Sequence, residues 1–302
     1  MKISAVVVTY NRINCLKKCL QCLEKQTYPL SNIIIVNNNS DDGTTEYLST
    51  LTNDLYKIKN LSENVGGAGG FSIGTKYAFE HTDSDYFWVM DDDTYPTSSS
   101  LEELVASVKE KDGHFGFLSS NVQYSNGGGA NCPEASKDWN KCIDQSLIKV
   151  DIASFVSLLY SRDTVRKVGL PVAEMFIWGD DFEYTSRINN KLGTESFFVI
   201  KSLVHHDSNN MKVTIYDCPL NMLSRYKLMY RNNIYAMKHN FPKYNFVRKM
   251  LSDTLLLFLV LCKADNNKCK RFMTVLKGIL SGIFFNPKIK FPNLNNNYKD
   301  NN

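Results

Sequence analysis

The sequence predicts an α/β fold: a mostly parallel central sheet flanked by helices, with a C-terminal helical appendage. Three observations predict it. Short β-branched runs alternate with helical periodicity up to residue 90, the β-α-β order of a parallel sheet with right-handed crossovers. The apolar run Tyr86-Phe-Trp-Val-Met90 passes directly into Asp91-Asp92-Asp93, placing three carboxylates where such a strand ends and the crevice of an open sheet begins. After about residue 215 the pattern changes to long helices.

The chain, 302 residues long, exceeds the usual domain size of about 100 to 200. It divides into a catalytic-sized domain over 1–215, a helical region over 216–290 and a polar, disordered tail over 291–302. The net charge of +4 conceals a split. Residues 1–200 carry 18 Lys/Arg against 26 Asp/Glu, net −8, whereas residues 201–302 carry 17 against 5, net +12. The helical end is therefore the part suited to an anionic surface. No aromatic-basic motif accompanies that charge, which argues against a nucleic-acid partner. Met1-Lys2 runs straight into the first strand with no secretory apolar stretch, and the longest apolar run, Leu255 to Cys262, is far short of the roughly 20 residues that span a bilayer. These features predict a cytoplasmic protein with reduced thiols, able to rest on the inner face of the cytoplasmic membrane. They leave a homo-oligomer open.

Ile3 to Val8 reads as the first strand, Thr9-Tyr10-Asn11-Arg12 as a polar loop and residues 13–25 as a helix. Cys15, Cys19 and Cys22 share the spacing of radical-SAM iron–sulfur enzymes. The same spacing also puts them with Leu16, Leu20 and Leu23 on the inner side of that helix, where cysteine acts as a small hydrophobe. Ile33 to Val36 is a second strand, ended by the turn-rich Asn37 to Thr44, and Lys57 to Leu61 is a third. Asn64-Val65-Gly66-Gly67-Ala68-Gly69-Gly70 then precedes a helix beginning near Phe71. It fits neither a Walker nor a dinucleotide fingerprint, and its glycines permit close backbone approach to a ligand.

Three adjacent carboxylates at 91–93 repel one another unless a cation sits among them; the alternative is a solvated acidic turn. A helix follows from Ser100 to Lys111, and the glycine-rich residues 123–147 read as a mobile loop or an acceptor-side insertion. Ile152 to Leu159 reads as one strand. Asp180 and Asp181 open a helix running to Leu192, where one carboxylate suffices for capping and the other suits a catalytic base. Phe197 to Ile200 is a strand, and His205 and His206 beyond it point to opposite sides, so one of them can join a cation held by carboxylates. Helices follow over Pro219–Lys238, Phe246–Cys262 and Lys268–Phe285. The last carries Phe272, Val275, Leu276, Ile279, Ile283 and Phe284 at helical spacing beside Lys268, Lys270, Arg271 and Lys277. That face suits either an anionic membrane or packing on the rest of the protein.

Five stretches in order, Val6 to Arg12, Val36 to Ser40, Asn64 to Gly67, Asp91 to Asp93 and Trp178 to Tyr184, resemble the family-2 inverting glycosyltransferases with a GT-A fold. The glycine loop, the triple Asp and the Trp-Gly-Asp-Asp-Phe-Glu-Tyr run are most similar to galactofuranosyltransferases, with bacterial rhamnosyltransferases next. The resemblance covers about residues 1–210. It implies a transferase moving galactofuranose from UDP-galactofuranose, or rhamnose from dTDP-rhamnose, to a cell-surface polysaccharide or lipid-linked glycan. A non-catalytic sugar-nucleotide-binding module is the reading from another class. The resemblance also implies that Asp91, Asp93 and His206 hold Mn²⁺ or Mg²⁺, with His205 the substitute ligand. Asp181 would be the base. Thr9, Tyr10, Asn11, Arg12, Asn37, Asn64, Gly66, Gly67, Asp92, Trp178, Asp180 and Glu183 would bind the substrates. The family usually has Asp where Asn37 stands.

Overall fold

The computed structural model of the protein describes residues 1–207 and 214–294. In chain order its elements are β1 Ile3–Thr9, α1 Ile13–Glu24, β2 Asn32–Asn37, α2 Thr44–Ser49, β3 Tyr56–Asn60, α3 Gly66–His81, β4 Tyr86–Asp91, β5 Thr94–Pro96, α4 Ser100–Glu110 and β6 Leu118–Tyr124. There follow β7 Glu134–Ala135, β8 Leu147–Ile152, β9 Leu158–Ser161, α5 Arg162–Val168, α6 Asp180–Leu192, β10 Ser196–His206, α7 Leu223–Asn240, α8 Lys243–Lys263 and α9 Lys268–Phe284.

All ten strands join one sheet in the order β3-β2-β1-β4-β9-β6-β10-β8-β7, with β5 pairing β10. Its first part, β3-β2-β1-β4, is parallel, as is the β6–β10 pair. The rest is mixed, because β9 runs antiparallel to both β4 and β6. A parallel neighbour needs a crossover of a dozen or more residues, usually a helix; between β6 and β9 the chain forms only β7, a short 3₁₀ turn and β8. The single strand expected over 152–159 is two, β8 and β9, and between them Ser157 takes a left-handed φ of 68° that breaks the extended run.

Period-2 alternation assigns the two sheet faces. Ala5, Val7, Ile33, Ile35, Trp88 and Met90 pack with Leu16, Cys19, Leu20 and Leu23 of α1 and with the apolar stripe of α4. Val6, Val8, Ile34, Val36, Phe87 and Val89 pack on the opposite face with Phe71 and Phe79 of α3 and Tyr184 and Ile188 of α6. Cys19 thus belongs to a core, and Cys15 and Cys22 flank it half-buried.

Helix α3 begins at Gly66, five residues before the expected start, so the glycines lie within it. Gly70 and Gly74 serve packing. A Cβ added at Gly70 would lie 2.4 Å from Val8 Cγ1, and one at Gly74 2.4 Å from Val6 Cγ1, so the helix rides on β1 at a distance only glycine allows.

Helix α7 packs against α6, α8 and α9, and Tyr226, Tyr230 and Ile234 form a third core with Val260, Val275 and Ile279. Of the α9 stripe offered to a membrane by the sequence, Phe272, Val275, Ile279 and Ile283 turn inward onto that core, while Phe284 at its end is 82% exposed. Arg271 is buried as well, donating to the Ile215 and Asn266 carbonyls at 3.1 and 2.9 Å. The longer exposed stripe is on α8, where Tyr244, Val247, Leu251, Leu255 and Phe258 are 54–69% exposed. No described helix is long and apolar enough to cross a membrane. Of the expected tail, residues 295–302 lie outside the described residues, while Asn293 donates its backbone N–H to Glu80 Oε1 at 2.7 Å.

Candidate active site

Strands β1 and β4 are parallel neighbours with Val8 opposite Asp91, so the loops after them leave the same edge of the sheet together. The chain has crossed to β2 and β3 on one side of β1 and to β4 on the other, the kind of switch point where open α/β sheets bind ligands. A cavity of about 1350 Å³ opens there. Thr9, Tyr10 and Arg12 from the first loop line it, together with Asn64, Gly66, Gly67, Asp91, Asp92, Asp93, Trp178, Asp180, Asp181 and His206.

Thr9 Oγ1 donates to Asp92 Oδ2 at 2.7 Å, fixing one acid of the triplet. Arg12 pairs with Asp93 and stands 3.6 Å from Asp92. His206 ends β10 opposite Thr94 of β5, which brings its Nε2 to 3.2 Å from Asp93 Oδ1, while its Nδ1 lies 2.9 Å from Asn131 Oδ1. Ligand atoms of Asp91, Asp93 and His206 fall within 4.8 Å of one another.

The electrostatics match a cation site. Burial, then the charges of Asp93 and Asp92, pushes Asp91 up to about 7. Burial and Asp93 likewise raise Asp92 to about 6 against the Thr9 hydrogen bond. For Asp93, burial is outweighed by the hydrogen bond and charge of His206 and by Arg12, and its carboxyl falls below the usual range. For His206, burial is outweighed by the Asp93 hydrogen bond and the charges of Asp93 and Asp91, and its imidazole is raised. Asp91 and Asp92 are thus ionised at a cost that a divalent cation would remove. Two carboxylates and an imidazole are a fitting donor set for such an ion, and Asn131 can hold the Nδ1–H so that the Nε2 lone pair faces the carboxylates.

On the far side, the turn before α6 is tightly wound. Phe176, Trp178 and Gly179 all have left-handed φ, of 66°, 61° and 92°. Two non-glycine residues in that region are strained and must be held. Asn232 of α7 holds them, its Nδ2 donating to the carbonyls of Met175, Ile177 and Trp178 at 3.0, 3.2 and 2.7 Å. The turn delivers Asp180 and Asp181 to the first turn of α6. Burial, with the charges of Asp181 and Asp91, raises Asp180 well above the carboxylate range, and burial raises Asp181. A carboxylate so raised accepts a proton more readily at neutral pH.

Three expected substrate residues lie elsewhere. Asn37 is buried away from the cavity, donating to Thr45 Oγ1 and Asn60 Oδ1, both at 2.9 Å. The cavity residue is its neighbour Asn38, which bridges to the glycine segment through Gly66 O at 3.0 Å. Asn11 is exposed and joins two loops by accepting from the Asp41 N–H at 2.8 Å. Glu183 is 1% exposed and forms a two-pronged pair with Arg187, Oε1 to Nε 2.8 Å and Oε2 to Nη2 3.0 Å, so it supports α6 from inside. The sequence reading also missed Asn131, from a polar stretch without periodicity, and the cavity face of α7. His205, the substitute ligand, does not line the cavity.

The sequence matches the family description Glycosyl transferase family 2 over residues 4–167. It is 26% identical over 188 residues to the glycosyltransferase AglE of Haloferax volcanii, covering 61% of this chain and 60% of that protein. It is 24% identical over 199 residues to the galactofuranosyltransferase GlfT1 of Mycolicibacterium smegmatis, covering 62% and 65%. This chain thus spans less than two thirds of the length of either relative. Among solved structures, residues 1–349 of S. aureus TarS superpose with a TM-score of 0.63 at 16% identity, over 94% of this chain and 81% of that one, a likeness of fold. The chain belongs to glycosyl transferase family 2 and has the GT-A fold.

Proposed function

We propose that the protein is an inverting, metal-dependent transferase that moves galactofuranose from UDP-galactofuranose to a cell-surface polysaccharide or lipid-linked glycan at the inner face of the cytoplasmic membrane. One observation carries the chemistry: the Asp91, Asp93 and His206 trio and the Asp181 carboxylate line the same cavity. The name of GlfT1 supports the donor sugar. TarS 1–349 is known with UDP and with UDP-GlcNAc, which supports a UDP-linked donor. The outward stripe of α8 supports the membrane surface.

Asp91, Asp93 and His206 would hold a divalent cation, which when bound would supply Lewis-acid stabilisation of the departing diphosphate. The imidazole nitrogen suits Mn²⁺ better than Mg²⁺. Thr9 and Tyr10 line the nucleoside, Asn64, Gly66 and Gly67 border the sugar nucleotide, and Asp92, oriented by Thr9, faces the ribose. Arg12 keeps Asp93 ionised and in place. Trp178 and Asp180 position the acceptor. Ionised Asp181 takes the acceptor hydroxyl's proton as that oxygen bonds to the anomeric carbon and the bond to the diphosphate breaks. One displacement inverts the centre, so no sugar–enzyme bond forms.

Nucleotide release by the purified protein tests this reading. UDP released from UDP-galactofuranose only with Mn²⁺ or Mg²⁺, with an inverted product by NMR, is the expected result. Release of dTDP from dTDP-rhamnose instead would give the donor to the rhamnosyltransferase reading. Full turnover by Asp181→Asn would remove the base assignment and favour a different catalytic centre.

A further inference from the structure

Among the aromatic side chains that line the cavity, Phe176 is 39% exposed and is held in a strained conformation. Its φ is 66° and its ψ −61°, and across it the Ile177 N–H donates to the Met175 carbonyl at 2.8 Å. Those angles and that bond make Phe176 the centre of a γ-turn of the rarer hand. A side chain with a Cβ stays in that region only where its surroundings impose it.

Two elements impose it. On one side, the Ala68 N–H of α3 donates to Phe176 O at 3.1 Å. Helix α3 comes so close there that a Cβ at Gly66 would lie 2.1 Å from that oxygen and 2.8 Å from Phe176 Cγ. On the other side, Arg231 Nη2 of α7 donates to the carbonyls of Glu174 and Met175 at 2.9 and 3.0 Å, beside the Asn232 bonds to Met175 and Ile177. Phe176 is thus the seam at which the glycine segment touches the turn that carries Asp180 and Asp181.

The ring starts over Gly66, which lines the cavity with Asn64 and Gly67, and Trp178 follows two residues later beside Asp180 and Asp181. It therefore stands between the border of the sugar nucleotide and the base. The cation site serves the diphosphate and the first loop serves the nucleoside, which leaves the sugar as the part of the donor that meets this seam. A sugar ring presents C–H groups on its faces and hydroxyls at its edges. Those C–H groups carry the partial positive charge that the negative face of an aromatic ring attracts.

We propose that Phe176 is a specificity residue for the donor, its ring covering the C–H face of the sugar to be transferred. This rests on the sugar-nucleotide reading of the cavity and adds a means of telling donor from product. The free nucleotide left after transfer has lost the sugar and gains nothing from the ring. The γ-turn keeps the ring at the seam when no donor is bound, so no ordering of the side chain opposes binding.

Titration calorimetry in Mn²⁺ without acceptor tests it, with UDP-galactofuranose and UDP as one pair of ligands and dTDP-rhamnose and dTDP as a second. The proteins are the wild type, Phe176→Ala, Phe176→Gly and Phe176→Tyr. The expected result is that Phe176→Ala and Phe176→Gly both weaken the sugar nucleotide that wild type binds, roughly two- to tenfold. Phe176→Tyr keeps the ring and the affinity, and the free nucleotide binds all four proteins equally. Glycine is at ease at positive φ and alanine is not, so equal losses in those two variants assign the effect to the ring. A loss in Phe176→Ala that Phe176→Gly does not share would assign it to the strained backbone and overturn the role of the ring. An unchanged sugar-nucleotide affinity, or a free nucleotide weakened by the same factor, would overturn it too. A wild type that binds neither free nucleotide would overturn the sugar-nucleotide reading itself, and the role of the ring with it.

Discussion

Asn131 Oδ1 lies 2.9 Å from His206 Nδ1, joining a residue of the irregular stretch after β6 to the end of β10. An amide oxygen can only accept, so the ring must be protonated at Nδ1, and Nε2 is the nitrogen left for a cation. Replacing Asn131 by Ala frees the ring to change tautomer and to turn. Mn²⁺ affinity should fall by about 10- to 100-fold, the usual cost of losing a partner behind a metal-binding histidine, with the melting temperature of the metal-free protein little changed. Calorimetric titration of Mn²⁺ checks it; an unchanged affinity would place the metal away from His206.

Asp180 gives a pH dependence with a definite sign. Its folded carboxyl titrates well above the ordinary range because of burial first and the charges of Asp181 and Asp91 next. A carboxyl raised on folding leaves the folded state holding more protons than the unfolded chain. Its ionisation therefore costs stability that grows as pH rises above about 4, the value of an unfolded Asp. Asp180→Asn removes that cost. The variant should melt higher than wild type at pH 7.5 and the same as wild type near pH 3.5, while losing transfer activity if Asp180 positions the acceptor. Thermal melts across that range decide it, and a constant difference at all pH values would show that ionisation is not the cause.

The Glu183–Arg187 pair is almost fully buried, and removing one partner strands the other. Arg187 also donates to the carbonyls of Val168 and Leu170 at 2.5 and 2.9 Å, tying α6 to the end of α5. Glu183→Ala should therefore destabilise by about 3–5 kcal/mol in urea unfolding. A loss of acceptor binding at unchanged stability would instead return Glu183 to the substrate.

The outward face of α8 should govern attachment to lipid. Leu251 and Phe258 are 68% and 63% exposed, and Lys243, Arg248 and Lys263 belong to the same helix. Leu251→Asp with Phe258→Asp should abolish co-sedimentation with phosphatidylglycerol vesicles and leave UDP binding intact. Wild type should bind phosphatidylcholine vesicles more weakly, and added salt should weaken the anionic case. Concentration-dependent dimerisation that vanishes in the double variant would assign the stripe to a second copy.

Much of this was legible in residue order. Strand ends are marked by abrupt polarity changes, as at Met90–Asp91, and a period-2 run fixes which side chains face which helix. His206 was preferred to His205, and the structure places His206 with Asp91 and Asp93. Other features depend on contacts distant in sequence. Gly66 and Gly67 of α3 line the cavity, whereas Gly70 and Gly74 pack on β1, and nothing local says that Val8 and Val6 lie beneath those two. Asn37 and Asn38 are chemically identical, and only the β2 pleat decides which turns inward to Thr45 and Asn60. The apolar stripe of α9 is as regular as that of α8, and the partner that covers one of them is α7.

The amide of Asn232 has a consequence for how this protein can be divided. Helix α7 braces the turn that presents Asp181, and Asn240 at its other end donates to the Glu183 carbonyl at 2.8 Å. A chimaera that grafts the helical end of another protein after β10 would inherit Asp91, Asp93 and His206 and still leave Asp181 on an unbraced turn. The recombination boundary compatible with activity therefore lies beyond α7.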